Sequence, residues 1–409
     1  MKRVFSIVLL LAGLLMAVDG SMQACTSFIV SGKATPDGRP LLFKNRDTGE
    51  LNNLTVLVHG AKYDYVANIN YPGKGESVWY GHNSAGFAII NTAAYNLNGK
   101  EGPSDANKDG VYMRMALEQC ASLKDFENML DTIRKPMDCD SNYGVIDAQG
   151  GCAYYETGAK GYVKFDVNDP KIAPLGYVVR TNFGYTGERS MDKGISRYSA
   201  ISDICLRLAQ THGFTIENVL QIPRYLIHGL THINLYDYEP SDDSRDVMMP
   251  FKDFIPRFQT ASTVCIQGVK SGESPLLTVS WTIMGSPLAS VVVPVCITPS
   301  HKLPGLITAG DDGQSQLCLW ALSLKKELFP VSNGEGPDYI NLAKLINKEN
   351  TGILQKIKPI EKETVACGMQ AVNAARQKGH FDSSMDDYYQ WFDDFVSKSY
   401  SQQFPEILQ

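Results

Sequence analysis

The sequence predicts an α+β protein, and three observations carry that reading. From Cys25 to about Val295 the chain is a succession of short apolar, β-branched runs set between turn residues, the texture of antiparallel strands. Helical periodicity interrupts it over Gly110 to Leu130, Ser196 to Gln210 and Thr215 to Leu226. After Pro304 helices take over, with candidates near Ser315 to Glu327, Tyr339 to Lys348, Lys358 to Lys378 and Ser384 to Tyr400.

The first element lies outside this fold. Lys2 and Arg3, the apolar run Val4 to Val18 and the break at Asp19-Gly20 read as an export signal. Its roughly 15 apolar residues fall short of the about 20 that span a bilayer. Residues 1–24 are therefore expected to be a signal peptide, with 21–24 a short propeptide if the cut follows Gly20, and the mature protein is expected to be periplasmic or extracellular.

The strands come next: "CTSFIV", "PLLFKNRD", "LTVLVHG", "GFAIINTAAY", "NYGVIDAQGGCAYYET", "YVVRTNF", "STVCIQGV" and "LLTVSWTIMG". Pro36-Asp37-Gly38, Asn98-Gly99 and Ala148-Gln149-Gly150 supply turns between them. No low-complexity linker precedes the final helices. Residues 25–305 thus read as one domain, and 306–409 as a helical extension packed on it. Within the extension, "DDYYQWFDDFV" places Tyr389, Phe392 and Phe395 or Val396 at helical spacing with acids opposite, an amphipathic helix that buries its aromatic face.

Composition excludes several classes of function. A net charge of -6 with no basic patch interleaved with aromatics argues against nucleic acid. No later segment has the roughly 18 unbroken apolar residues of a membrane span, since Pro294 cuts the run from Leu288 to Ile297. No P-loop, GxGxxG or calcium-loop pattern is present, so no cofactor is expected. Nine cysteines without a CxxC spacing predict no metal site. His228 and His232, four apart in "IHGLTH", could share a helix face, but Gly229 between them favours simple packing. Cys120, Cys205, Cys265, Cys296 and Cys318 sit in apolar surroundings as small hydrophobes. Cys139 and Cys152, flanked by short loops, form the candidate disulfide. Association of the chain with itself, as a homo-oligomer, is left open.

The chemistry centres on Cys25. A cysteine nucleophile needs a base, a group that orients the base, and donors for the oxyanion. None of the seven histidines falls in a cysteine-protease signature. Cleavage before Cys25 would free its α-amino group, and amines of this kind titrate at about 7.7 to 8.0 against about 8.5 for a thiol, so one residue can carry both base and nucleophile. A rival reading makes Cys25 the lipidated residue of a non-catalytic surface lipoprotein. Ala24 suits a lipobox, whereas Met22 and Gln23 suit it poorly.

"Cys25-Thr26-Ser27-Phe28-Ile29-Val30", followed by "Phe43-Lys44-Asn45-Arg46-Asp47", resembles the opening of the N-terminal-nucleophile (Ntn) cysteine hydrolases, the group of choloylglycine hydrolases, penicillin V acylases, acid-ceramidase-like amidases and penicillin acyltransferase-like proteins. The stretch from Gly81 to Asn91 is similar to the family's G-x-N-x-x-G-hydrophobic element, Thr181-Asn182 to its T-N element, and Ser196-Arg197-Tyr198 to its S-R-F element. The likeness runs from Cys25 to about Trp281, with the motifs in family order.

The resemblance implies an αββα sandwich, two stacked antiparallel sheets between helical layers. It also implies roles: Cys25 as nucleophile and, through its amine, base; Asp47 holding that amine; Asn182 by its side-chain NH2, together with Asn91, donating to the oxyanion; and Arg197 stabilising charge beside the thiol. Where the family motif has arginine this chain has Lys44, with Arg46 two residues on. Both are candidate substrate-binding residues, and on a strand they share a face. The reaction implied is hydrolysis of a linear C–N amide in a small N-acyl substrate, such as a conjugated bile acid or acyl amino acid, through a Cys25 thioester. A dipeptidase or an acyltransferase remains an alternative.

Overall fold

The computed structural model describes residues 24–73, 75–98, 108–189 and 193–408. The export signal, Ser21 to Gln23 and the Gly99 of one expected turn lie outside the described residues.

Fifteen strands are formed among the described residues. They are β1 (Thr26–Val30), β2 (Leu41–Asp47), β3 (Asn53–Val58), β4 (Tyr65–Asn70), β5 (Tyr80–Asn83), β6 (Ala88–Ala93), β7 (Ser141–Ile146), β8 (Cys152–Gly158), β9 (Gly161–Asp166), β10 (Tyr177–Arg180), β11 (Met248–Pro250), β12 (Thr260–Gln267), β13 (Val279–Met284), β14 (Val292–Val295) and β15 (Tyr339–Asn341). The helices are α1 (Asp109–Gln119), α2 (Leu123–Thr132), α3 (Ile195–Gln210), α4 (Ile216–Val219), α5 (Gln316–Leu328), α6 (Leu342–Leu345), α7 (Ile353–Lys378) and α8 (Ser383–Gln403).

One sheet has six strands in the order β10-β1-β2-β12-β13-β14, a second is a seven-stranded meander from β3 to β9, and β11 and β15 form a separate two-stranded ribbon. Every pairing within both sheets is antiparallel. Residue alternation then sorts side chains into layers. Ile29, Leu42, Val264 and Ile266 of the first sheet meet Ile90, Ile146 and Tyr154 of the second in a core between the sheets. On the far side of the second sheet, Phe87, Ile89 and Tyr155 pack under Met113 and Leu117 of α1 and Phe126 and Leu130 of α2. On the far side of the first, Phe28, Phe43, Cys265 and Trp281 pack under α3 and the helices of the extension, whose Ile357, Val372, Phe392 and Val396 join the same cluster. Helices therefore cover both outer faces of the stacked sheets, the expected αββα order.

Several elements differ from their sequence expectation, each for a local reason. The run from Gly110 to Leu130 is two helices, because Cys120 is extended and Ser122 starts α2 afresh by accepting the Asp125 N–H. The run from Thr215 is helical only to Val219, then a 3₁₀ turn at Ile222–Arg224 that carries Pro223 near its start. Tyr339 to Asn341 is not helix but strand, paired with β11, and α6 follows it. His228 and His232 lie in a loop, His232 at φ 57°, so they share no helix face. Cys139 and Cys152 do not pair: Cys139 packs under α1 and α2 while Cys152 faces the inter-sheet core, and all nine cysteines are free. Of the α8 positions expected to be buried, Tyr389, Phe392 and Val396 are, with Phe395 only partly covered. None of the described helices is long and apolar enough to cross a membrane.

Phe392 is fully buried in the cluster shared by the first sheet and the extension. Phe392→Ala should cost about 3–5 kcal/mol, read by urea denaturation followed in parallel by circular dichroism and tryptophan fluorescence. The two probes should report one common transition, and separate transitions for sheet and extension would contradict a shared core.

Candidate active site

The site is built around the start of β1. Thr26 pairs with Asn45 and Ser27 with Lys44 on one side, and Ser27 pairs with Arg180 on the other. The Ala24 N–H donates to the Asp47 carbonyl at 3.2 Å, so the register with β2 persists past the strand end. Continued by one residue, it sets Cys25 between Arg46 and Asn182. Period-two alternation then turns Cys25, Lys44 and Arg46 toward the inter-sheet side with Ile29 and Leu42, and Asn45 and Asp47 to the other face. Cys25 is buried, its Sγ 3.9 Å from the Asp47 carbonyl oxygen.

Arg197 ties this strand to its neighbours. It lies in the first turn of α3 and is buried. Its Nη1 donates to the Cys25 carbonyl at 2.6 Å and to Thr26 Oγ1 at 3.0 Å, while Nη2 donates to Asn182 Oδ1 at 2.8 Å. Asn182 Nδ2 in turn donates to the Ala93 carbonyl at 3.0 Å, which fixes the amide's orientation. Gly194, before α3, has φ 76°, and a Cβ there would lie 2.4 Å from Arg197 Nη2. Glycine is required at that position by backbone angle and by space.

Asp47 sits among cations on the opposite face. Its Oδ1 accepts from Thr260 Oγ1 at 2.7 Å, and Oδ2 lies 3.2 Å from Arg257 Nε, whose Nη1 also pairs with Asp253 at 3.1 Å. Burial pushes the Asp47 carboxyl up, and the Arg257 and Arg197 guanidiniums pull against it. Lys325, reaching in from α5 to the Thr260 carbonyl at 3.3 Å, is pulled down to about 7 by burial, with Asp47 opposing.

Lys44 and Arg46 do share a face. Lys44 Nζ donates to Asn91 Oδ1 at 2.7 Å and to the Trp79 carbonyl at 2.8 Å. Burial lowers its pKa to about 8, and the Cys25 sulfur is the strongest influence in the other direction. Arg46 Nη2 donates to Asn70 Oδ1 at 2.6 Å and its guanidinium lies 4.9 Å from the Trp79 ring centroid. Burial lowers it to about 10, again with Cys25 opposing. Arg46 Nη1 has no hydrogen-bond partner among the described residues.

Asn91 is engaged through its whole side chain. Beyond Lys44, its Nδ2 donates to Asp109 Oδ2 and to Ser141 Oγ, both at 3.2 Å. Asp109 belongs to a buried acidic pair. Burial raises it to about 6, and burial together with the Asp109 charge raises Asp140 to about 8. The Asp140 carboxylate oxygens accept no hydrogen bond among the described residues. The Tyr95 phenol is pushed up by burial first and then by Cys25, Asp140 and Asp109. It borders a cavity of about 630 Å³ that also meets Ala24, Arg197, Asp253, Arg257 and Phe258.

Residues 34–243, just over half of the chain, match the family model described as acyl-coenzyme A:6-aminopenicillanic acid acyl-transferase. The chain belongs to this family. It is the penicillin acyltransferase-like branch of the Ntn group that the motifs resemble. Among solved structures the chain is similar to an ortholog of N-acylethanolamine-hydrolyzing acid amidase from Caenorhabditis elegans, at 15% identity over 48% of this chain and 84% of that one, with a TM-score of 0.35. It is also similar to a mutant of conjugated bile acid hydrolase from Clostridium perfringens, at 11% identity over 67% and 92% with a TM-score of 0.39. A third is penicillin V acylase from Agrobacterium tumefaciens, at 13% identity over 67% and 86% with a TM-score of 0.40. No curated protein sequence matches.

The span matched by the acyl-transferase family holds Lys44, Arg46, Asp47, Asn91, Asn182 and Arg197, while Cys25 lies just upstream of it. The fold brings all seven to the end of β1. It adds Thr260, Arg257, Lys325, Tyr95, Asp109 and Asp140, none of which stands in a motif. Their approach is a matter of sheet neighbours, so no linear spacing could have shown them.

Between about pH 4, where an ordinary aspartate ionises, and about pH 8, where Asp140 ionises in the fold, the Asp109–Asp140 pair holds more protons in the folded than in the unfolded state, while buried His82 and Lys325, lowered to about 3 and about 7, hold fewer. The pair's own contribution to stability should therefore fall as pH rises through that window, by up to about 1.4 kcal/mol per pH unit for each unmatched proton. Asp140→Asn should flatten the fall, read from denaturation midpoints at pH 5 to 8. An unchanged slope would exclude the acidic pair as its source.

Proposed function

We propose that the protein is an Ntn cysteine amidohydrolase, made active by cleavage of the Ala24–Cys25 bond. The observation that supports this best is the Arg197 guanidinium, which holds the Cys25 carbonyl and the Asn182 amide in one frame at 2.6 and 2.8 Å. A nucleophile and an oxyanion donor need such a fixed separation. Ala24 borders the cavity, so its removal would open that space onto the thiol. The new α-ammonium would lie beside Asp47, whose buried carboxylate gains from a further cation through a charge-assisted hydrogen bond.

In this reading the free amine takes the thiol proton and Sγ bonds to the substrate carbonyl carbon. Negative charge on the carbonyl oxygen is met by Asn182, with Lys44 and Arg197 supplying positive potential nearby. The C–N bond then breaks, and the leaving amine takes the proton held by the α-ammonium. Water next attacks the thioester, giving its proton to the amine, and the C–S bond breaks to restore the thiol. Asn91 serves by placing Lys44, since its side chain is engaged by Lys44, Asp109 and Ser141. The substrate class is a small linear N-acyl amide, an acyl amino acid or a conjugated bile acid. A second reading, transfer of the acyl group to an amine, is favoured by the family's description as an acyl-transferase. The mature chain is placed outside the cytoplasm by its N-terminal signal.

Intact mass and N-terminal sequencing of the secreted protein should give Cys25 as first residue, with turnover of acyl-glycines or penicillin V. A diacylglyceryl mass on Cys25 would support the lipoprotein instead, and turnover confined to dipeptides would support a dipeptidase. Cys25→Ala should abolish activity, and Asn182→Ala should lower kcat by about 10²–10³. Activity retained by Cys25→Ala would sink the mechanism. Adding amine acceptors to the assay separates transfer from hydrolysis.

A further inference from the structure

His59 follows β3, Asp64 precedes β4, and His301 lies in the chain beyond β14. Asp64 Oδ2 is 3.4 Å from His59 Nδ1 and 3.7 Å from His301 Nδ1, and the ligand atoms of the three residues all lie within 4.8 Å of one another. The two imidazole centroids are 4.6 Å apart. We propose that these residues form a binding site for a divalent transition metal of the zinc type, outside the Cys25 site.

The spacing supports a shared ion over mutual hydrogen bonding. A charge-assisted N–H···O contact settles at about 2.7–2.9 Å, and both contacts to Asp64 are longer. For metal bonds of about 2.0–2.1 Å at tetrahedral angles, neighbouring ligand atoms lie about 3.3–3.4 Å apart. The two measured edges stand within a few tenths of that value. Two imidazoles and one carboxylate also suit zinc, cobalt or nickel better than magnesium or calcium, which prefer all-oxygen shells.

The His59 side chain is 67% exposed, which leaves a fourth position for water. The site has a structural consequence as well. β3 and β14 are edge strands of different sheets, so an ion held by His59, Asp64 and His301 would bridge the edges of the sandwich.

Chelator-treated full chain carrying Cys25→Ala, which removes the nucleophile thiol, should bind one equivalent of ZnCl2 by calorimetry, and zinc should raise its Tm. Loss of a direct ligand should cost at least the about 10–100-fold seen for outer-shell partners, so His301→Ala should weaken binding by that much or more and the His59→Ala, His301→Ala double variant should abolish it. Cobalt(II) added to the chain with all three ligands intact should give visible d–d bands without thiolate charge transfer, a readout that needs no substitution in the site. Absence of binding, binding unchanged in the double variant, or a thiolate band would each overturn the proposal.

Discussion

Everything at the site depends on the antiparallel register that holds β1 between β2 and β10. That register carries Cys25 into line with Arg46 and Asn182, and it is anchored beyond the strand end by the Ala24 to Asp47 hydrogen bond. A slip of one residue would reverse the faces, sending Cys25 away from Lys44 and Arg46 and moving Ile29 out of the inter-sheet core. Phe28, Val30 and Phe43 pack on the helix side while Ile29 and Leu42 pack between the sheets, so a slip would disturb both layers, and the same residues that build the core also aim the thiol.

The second constraint is the price in desolvation of gathering charge there. Lys44, Arg46, Asp47 and Arg197 are all buried, and burial moves each toward its neutral form. Such groups are tolerated because they partner one another and the backbone: Lys44 with Asn91, Arg197 with the Cys25 carbonyl, Asp47 with Thr260 and Arg257. Cations predominate around the thiol. A positive field of this kind favours a developing oxyanion.

Much of this was legible in the sequence where the signal is local. Strand-like runs located most of the first sheet, and helix periodicity located α3, α5 and α8 within one to three residues. Local signals failed where a tertiary partner decides. Tyr339 to Asn341 has helical company on its C-terminal side but becomes a strand because β11 offers it hydrogen bonds. Cys139 and Cys152 looked alike in their turn-rich surroundings, yet opposite faces of the second sheet separate them.

By itself the sequence determined the α+β class, through short strand-like runs and helical period, and the order of the motifs, whose likeness to the Ntn cysteine hydrolases implied the αββα layering and the candidate residues Cys25, Lys44, Arg46, Asp47, Asn91, Asn182 and Arg197. Only the tertiary structure decided that Arg46, on one face with Lys44, takes Asn70 as its partner, that Asn91 is engaged by Lys44 and Asp109, and that Thr260 and Arg257 attend Asp47. It alone brought His59, Asp64 and His301 together. The physical reason is common to all of these: hydrophobic period is a property of neighbours in sequence, whereas the pairing of buried polar groups depends on which strands and loops become neighbours in space.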